Sequence, residues 1–165
     1  MTQQNRPQRT PKNFLKTAKI IHLALAMGCL AISAYFYSNT DMNFTDELNL
    51  KDPMIYILPV IGAIAFFASS VLYRNLIDKA KTQPSLLSKL NGFLSANIVR
   101  YAIIEGATLI NIIWFSTTGT PLYITVAGTL LIYLFWLRPT KDKIIEDLAL
   151  RGQDKAKFEA FDQDL

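Results

Sequence analysis

Four long apolar segments decide what this chain can fold into. They cover residues 18–37, 54–73, 93–115 and 120–137. A helix needs roughly 20 predominantly apolar residues to cross about 30 Å of hydrocarbon, and each segment comes close to that length. The composition agrees, because 51% of the residues are hydrophobic and only 18% are charged. We therefore predict an all-α integral membrane protein whose residues 17–138 form a four-helix bundle.

The charges between the segments predict one orientation. Five basic residues and no acidic residue lie close to the start of the first span, at Arg6, Arg9, Lys12, Lys16 and Lys19. The loop 39–53 carries four acidic residues against Lys51 alone, and basic residues predominate again before the third span and after the fourth. Lysine and arginine mark the cytoplasmic side, so we expect both termini in the cytoplasm of a bacterial inner membrane. A signal peptide is the alternative for the first span, but its apolar run is longer than the 7–15 residues of an h-region.

The two ends of the chain are predicted to be cytoplasmic. Residues 1–16 are polar and basic and carry two prolines, which predicts a disordered tail. Residues 139–165 show apolar side chains at helical spacing after Thr140, which predicts an amphipathic helix capped by that threonine. The six basic and seven acidic residues from Arg138 onward nearly cancel. This favours a protein partner or a folded-back helix over adsorption to anionic lipid, and a solvated tail helix is the alternative.

The third span contains a polar sector. Glu105 lies near its centre, where a charged side chain costs about 3 kcal/mol. At 100° per residue, the polar residues of the span fall within about 140° of the helix circumference. They are Asn97, Arg100, Tyr101, Glu105, Thr108 and Asn111. Polar groups that face lipid lack partners, so we expect this sector to contact other helices.

Depth separates the charged residues of this sector. Arg100 lies about 10 Å from the cytoplasmic end of the span and can extend to the interface, whereas Glu105 lies about 18 Å deep and must be protonated, paired or hydrated. Tyr101, one turn before Glu105, is positioned to reach it. His22 in the first span has a depth similar to that of Arg100, so we expect both to line a vestibule open to the cytoplasm. The six sector residues and His22 form the predicted ion or proton site, and a purely structural Arg–Glu network is the alternative.

Part of the chain resembles a known family. Three features follow one another in the sequence. The second span has small residues at Gly62, Ala63 and Ala65, and the loop after it is basic and contains Gln-Pro, at Lys81, Gln83, Pro84 and Lys89. The third span then has a carboxylate near its middle, in the run Ile104, Glu105, Gly106 and Ala107. In this order, residues 62–107 resemble the helical hairpin of the c subunit of rotary ATP synthases. The resemblance implies that Glu105 is a proton-carrying carboxylate. It covers less than a third of the chain, and Thr82 stands where that family has a basic residue before the glutamine.

The remaining sequence shows no catalytic or metal-binding pattern. One histidine and one cysteine exclude a bis-histidine haem site and a Cys/His metal cluster. No phosphate loop or catalytic serine motif is present in the sequence. We therefore expect no enzyme activity, no cofactor and no nucleic-acid partner.

Two functions remain. The first is an accessory or assembly subunit of a larger membrane complex that uses the polar seam of the third span. The second is a proton- or ion-coupled transporter or channel component in which Glu105 is the titrating carboxylate. The expected partners are the lipid bilayer and either further copies of the chain or other membrane subunits.

Overall fold

A computed structural model describes residues 10–41 and 50–160, and these residues form six helices. The helices are α1 (Pro11–Asn39), α2 (Met54–Lys81), α3 (Leu86–Thr118), α4 (Pro121–Trp136), α5 (Lys141–Asp147) and α6 (Gly152–Glu159). The prediction of an all-α chain is confirmed.

The helix lengths fit a multi-pass membrane protein. α1, α2 and α3 are each long and apolar enough to cross a bilayer. α4 has only 16 residues, and it reaches spanning length only when it is counted together with α5, from which it is separated by a bend of 86°. The described residues therefore contain three candidate spans, or four when the bent pair counts as one span.

The long helices continue past the apolar segments. α2 extends to Lys81 and α3 begins directly after Ser85, whose Oγ accepts a hydrogen bond from the backbone N–H of Ser88 at 3.2 Å. This is a side-chain cap of the kind that serine provides at helix starts. α1 begins at Pro11 with Thr10 as its cap. Residues 11–16, expected in a disordered tail, are thus helical, and residues 1–9 lie outside the described part.

The C-terminal region forms two short helices rather than the single amphipathic helix expected. α5 begins after Thr140, whose Oγ1 caps it as predicted. The helix ends at Asp147, and Ala149 just beyond it has a φ of 49°, while the N–H of Leu150 bonds to the carbonyl of Ile145 at 3.0 Å. A left-handed residue with this bond closes a helix in a Schellman motif, and glycine is the usual residue there. Residues 161–165 lie outside the described part.

α3 occupies the centre and packs against α1, α2 and α4. α1 runs parallel to it, because His22 meets Tyr101 at one end and Tyr37 meets Phe115 at the other. α2 approaches α3 closely at Gly92, where an added Cβ would lie 2.7 Å from the Cβ of Ala80.

A hydrophobic core lies at the end of the long helices where the basic residues before α1, between α2 and α3 and after α4 are found, and we call this the basic end. Ile144, Leu148 and Phe158 are buried there against Leu90 and Phe93 of α3. The side chain of Lys89 also pairs with Asp154 at 2.7 Å. α5 and α6 are therefore folded back onto the long helices, which is one of the alternatives that the sequence left open.

Candidate functional site

The polar sector of α3 faces the other helices of the chain. Asn97, Tyr101, Thr108 and Asn111 are at most 5% exposed, whereas Ile110 and Ile113 on the other side are about half exposed. The expected contact with other helices is therefore made within the chain. As a consequence, these four neutral side chains are covered and do not form an outer seam.

Two members of the predicted site support the end of α4. The hydroxyl of Tyr101 lies 3.1 Å from Asn97 Oδ1 and 3.1 Å from the carbonyl oxygen of Leu137. The Nε2 of His22 lies 2.9 Å from the carbonyl oxygen of Leu134. The last carbonyls of a helix lack the regular i+4 backbone donor, and these two side chains supply donors to two of them. The expected reach of Tyr101 to Glu105 is thus wrong, because its hydroxyl serves Leu137.

Arg100 points away from Glu105, toward α2 and α4. Its Nη2 lies 2.5 Å from the hydroxyl of Tyr133 and 3.4 Å from Ser70 Oγ. The guanidinium carbon also lies 4.7 Å from the ring centre of Tyr73, within the range of a cation–π interaction. His22 lies at a similar depth, since its ring contacts Tyr101, but it is buried on the α1 side. The expected vestibule lined by both residues is therefore absent among the described residues.

Glu105 lies at the edge of the sector nearest α1. It is half-buried and close enough to Cys29 for the carboxylate and the thiol to interact electrostatically. Within the described part of the chain, its carboxylate makes no hydrogen bond or ion pair. An Arg–Glu network between the helices is thus not formed by these residues. Glu105 therefore has no hydrogen-bond donor among residues 10–41 and 50–160.

A small polar cluster adjoins Glu105 between α1 and α3. Cys29 lies beside Ser33 and Thr108, and all three are buried. Two buried oxygen atoms have no hydrogen-bond partner in the described structure, Ser33 Oγ and Asn111 Oδ1. The parallel register of α1 and α3 places Ser33 about level with Asn111, because Cys29 meets Thr108 one turn earlier. The sequence alone does not show that α1 completes this cluster, since angles on α3 do not identify the neighbouring helix.

The outward surface of α3 beside Glu105 contains small residues. We call this surface the outer strip, and it comprises Ile98, Ala102, Gly106 and Ile113, which are exposed or half-exposed. A Cβ added at Gly106 would have no neighbouring atom within 4 Å. The strip therefore presents a shallow depression with a carboxylate at its edge.

Comparison with protein-family models, curated proteins and solved structures finds no match. The resemblance of residues 62–107 to the ATP synthase c subunit accordingly stays a sequence-based prediction.

Proposed function

We propose that this chain is an accessory or assembly subunit of a larger membrane complex, and that a transmembrane helix of a partner docks on the outer strip. The observation that carries the proposal is the carboxylate of Glu105, which has no donor among the described residues. It lies about 18 Å along α3 from Phe93 and about 15 Å from Phe115, near the middle of the apolar segment. A polar group at that depth requires a partner, and a neighbouring helix can supply one.

The outer strip suits such a helix. Ala102 and Gly106 are spaced four residues apart on one face of α3, and nothing in the described chain occupies the space above Gly106. Small residues at this spacing let two helix backbones approach closely in a membrane, and an interhelical hydrogen bond adds about 0.6–2 kcal/mol. The docking surface is therefore narrower than the polar seam expected from the sequence, and Glu105 is its polar element.

This proposal includes the predicted location. The subunit lies in a bacterial inner membrane with both termini in the cytoplasm, since the basic residues flank one side of the spans. The partner is a protein helix with a hydrogen-bond donor at mid-membrane depth. It belongs either to another subunit or to a second copy of the chain.

Two glycine variants test the docking surface. A leucine at Gly106 fills the depression, while a leucine at Gly128 of α4 is a matched control, because a Cβ added at either position meets nothing within 4 Å. We expect Gly106→Leu to reduce the yield of the partner in pull-down from mild detergent at least tenfold, and Gly128→Leu to leave it unchanged. A photo-cross-linker at Ile98 should capture the same partner, and one at Ile132 of α4 should not.

Several outcomes would contradict the proposal. Wild-type protein that is a lone monomer in native-like bilayers, with no cross-link from Ile98, has no docked helix. Equal partner yields from both leucine variants would place the contact elsewhere. The mass of the cross-linked product separates a second copy from a different subunit.

A proton- or ion-coupled transporter is the second candidate. It is favoured by the two buried oxygens without partners, Ser33 Oγ and Asn111 Oδ1, because such oxygens can accept hydrogen bonds from water or coordinate a cation. Glu105 lies at the edge of this cluster and supplies the titrating group. Flux into vesicles reconstituted with the purified protein should be lost in Glu105→Gln, which keeps the shape of the side chain but removes the charge. Flux that survives this substitution rejects the mechanism and leaves the docking proposal intact.

A further inference from the structure

A cavity opens at the basic end of the helices, on the opposite side of α3 from Glu105. It has a volume of about 400 Å³ and lies where α2, α3, α4 and α5 meet. Tyr73, Arg100 and Tyr133 of the long helices line it, and Arg74 and Lys143 contribute two further basic groups. This cavity contains none of the residues of the Glu105 cluster or of the outer strip.

The guanidinium of Arg100 is incompletely paired inside this cavity. Its Nη2 is held by Tyr133 and Ser70, and its Nε is buried without a hydrogen-bond partner. Its Nη1 makes no hydrogen bond to a described residue and, unlike Nε, is not fully buried. This nitrogen is therefore accessible from the cavity. No carboxylate of the described chain lies within 4 Å of the guanidinium. Arg100 therefore presents an open donor and a positive charge that no described carboxylate neutralises at close range.

The nearest acidic groups are engaged or exposed. Asp147 accepts a hydrogen bond from the hydroxyl of Tyr73 at 2.5 Å, while Arg100 lies over the face of the same ring. Glu146 also lines the cavity and is exposed. Three basic and two acidic residues thus line the space, which leaves one net positive charge. That balance suits an anion with a single negative charge.

We propose that this cavity binds a phosphodiester group, with Arg100 as its innermost ligand and with Arg74 and Lys143 at its mouth. Arginine favours phosphate because its planar array of N–H donors matches two phosphate oxygens. Arg100 lies about 10 Å along α3 from Phe93, in the cytoplasmic half of the span, and the same cavity is also lined by Lys143, which lies beyond the end of the fourth apolar segment. Basic pockets between transmembrane helices bind anionic headgroups in this position. The favoured source is therefore a phospholipid, and a free phosphate ion is the alternative source of the same chemistry.

Lipid binding can be measured by native mass spectrometry of the full chain in a maltoside detergent. The probes are phosphatidylglycerol, phosphatidylcholine with the same acyl chains, and inorganic phosphate. We expect phosphatidylglycerol to bind at least tenfold more tightly than phosphatidylcholine, and inorganic phosphate not to displace it at millimolar concentration. Displacement by inorganic phosphate at equal concentration would instead assign the site to the free ion.

Variants locate the site on the chain. Arg74→Gln and Lys143→Gln should each weaken phosphatidylglycerol binding about fivefold, as expected for one basic residue near a headgroup. Arg100→Gln should weaken it further. Arg138→Gln is the matched control, because Arg138 is exposed near the same end of the helices but does not line the cavity.

The mouth variants keep the test decisive if Arg100→Gln fails to fold. Equal affinities for the two lipids, or an equal loss in Arg138→Gln and in the mouth variants, would overturn the proposal. The first result would show that the phosphate charge is not recognised, and the second that binding depends only on overall surface charge.

Discussion

Replacing Gly92 by alanine tests how closely α2 and α3 pack at their basic ends. The added Cβ would lie 2.7 Å from the Cβ and 3.3 Å from the Cα of Ala80. Carbon atoms pack best at about 3.5–4.0 Å, so the two helices must separate by roughly 1 Å. Ala80 is only 3% exposed and its methyl group has no other rotamer, so the strain has to be taken up by the backbones.

Two opposing effects set the change in the free energy of unfolding that Gly92→Ala causes. Overpacking of this kind costs about 1–3 kcal/mol, while alanine gains about 1 kcal/mol over glycine in a helix. We therefore expect Gly92→Ala to lower the free energy of unfolding by as much as about 2 kcal/mol. Gly128→Ala is the control, since its Cβ meets nothing within 4 Å and only the gain remains. The two variants should differ by about 1–3 kcal/mol.

The free energy of unfolding can be measured by titrating SDS into detergent micelles of each variant while following helix content by circular dichroism. Equal midpoints for the two alanine variants would refute the close approach of α2 and α3 at Gly92. A more stable Gly92→Ala variant would do so more strongly, because it would mean that the site has room for a methyl group.

Three further predictions concern the helix ends. Tyr101→Phe removes the hydroxyl that donates to the carbonyl of Leu137. The carbonyl left without this donor should lower the free energy of unfolding by about 1–3 kcal/mol in the same SDS titration. An unchanged free energy would show that the contact is not formed. Phe158→Ala removes a side chain with no exposed surface, so trypsin should cleave within α6 at least tenfold faster than in the wild type; unchanged cleavage would mean that α6 is not docked. Ala149→Gly relieves the strain of a left-handed backbone at a non-glycine residue after α5, so it should raise the free energy of unfolding by about 1 kcal/mol in the same SDS titration. A lower free energy of unfolding would contradict the φ of 49°.

The sequence predicts the helices well and their neighbours poorly. Hydropathy identifies α1, α2 and α3 because each apolar segment is long enough to span a bilayer. The helical angles around α3 correctly predict that Asn97 and Thr108 face inward. They do not predict which neighbour occupies each angle, so the partners of Arg100 on α2 and α4 could not be identified in advance.

The sequence also fails to predict a helix break when the residue at the break is one that normally favours a helix. The break after α5 occurs at Ala149, although alanine favours a continuous helix. The break is set by tertiary packing, since Leu148 and Leu150 on either side of it are both buried in the core at the basic end. The apolar residues on both sides of the break keep helical spacing, so the sequence predicts one continuous amphipathic helix there.

The shortness of α4 has a consequence for the lipids around the protein. Its 16 residues extend over about 24 Å, some 6 Å less than a typical hydrocarbon core, whereas the 23-residue apolar segment of α3 extends over about 34 Å. Bilayers adapt to such hydrophobic mismatch by thinning or by tilt of the helix, at a fraction of a kcal/mol per Å. Where α4 alone crosses the bilayer, the membrane beside it is therefore expected to be thinner than elsewhere around the protein. Lipids with shorter acyl chains should gather on that side and favour the placement of this chain in thin membranes.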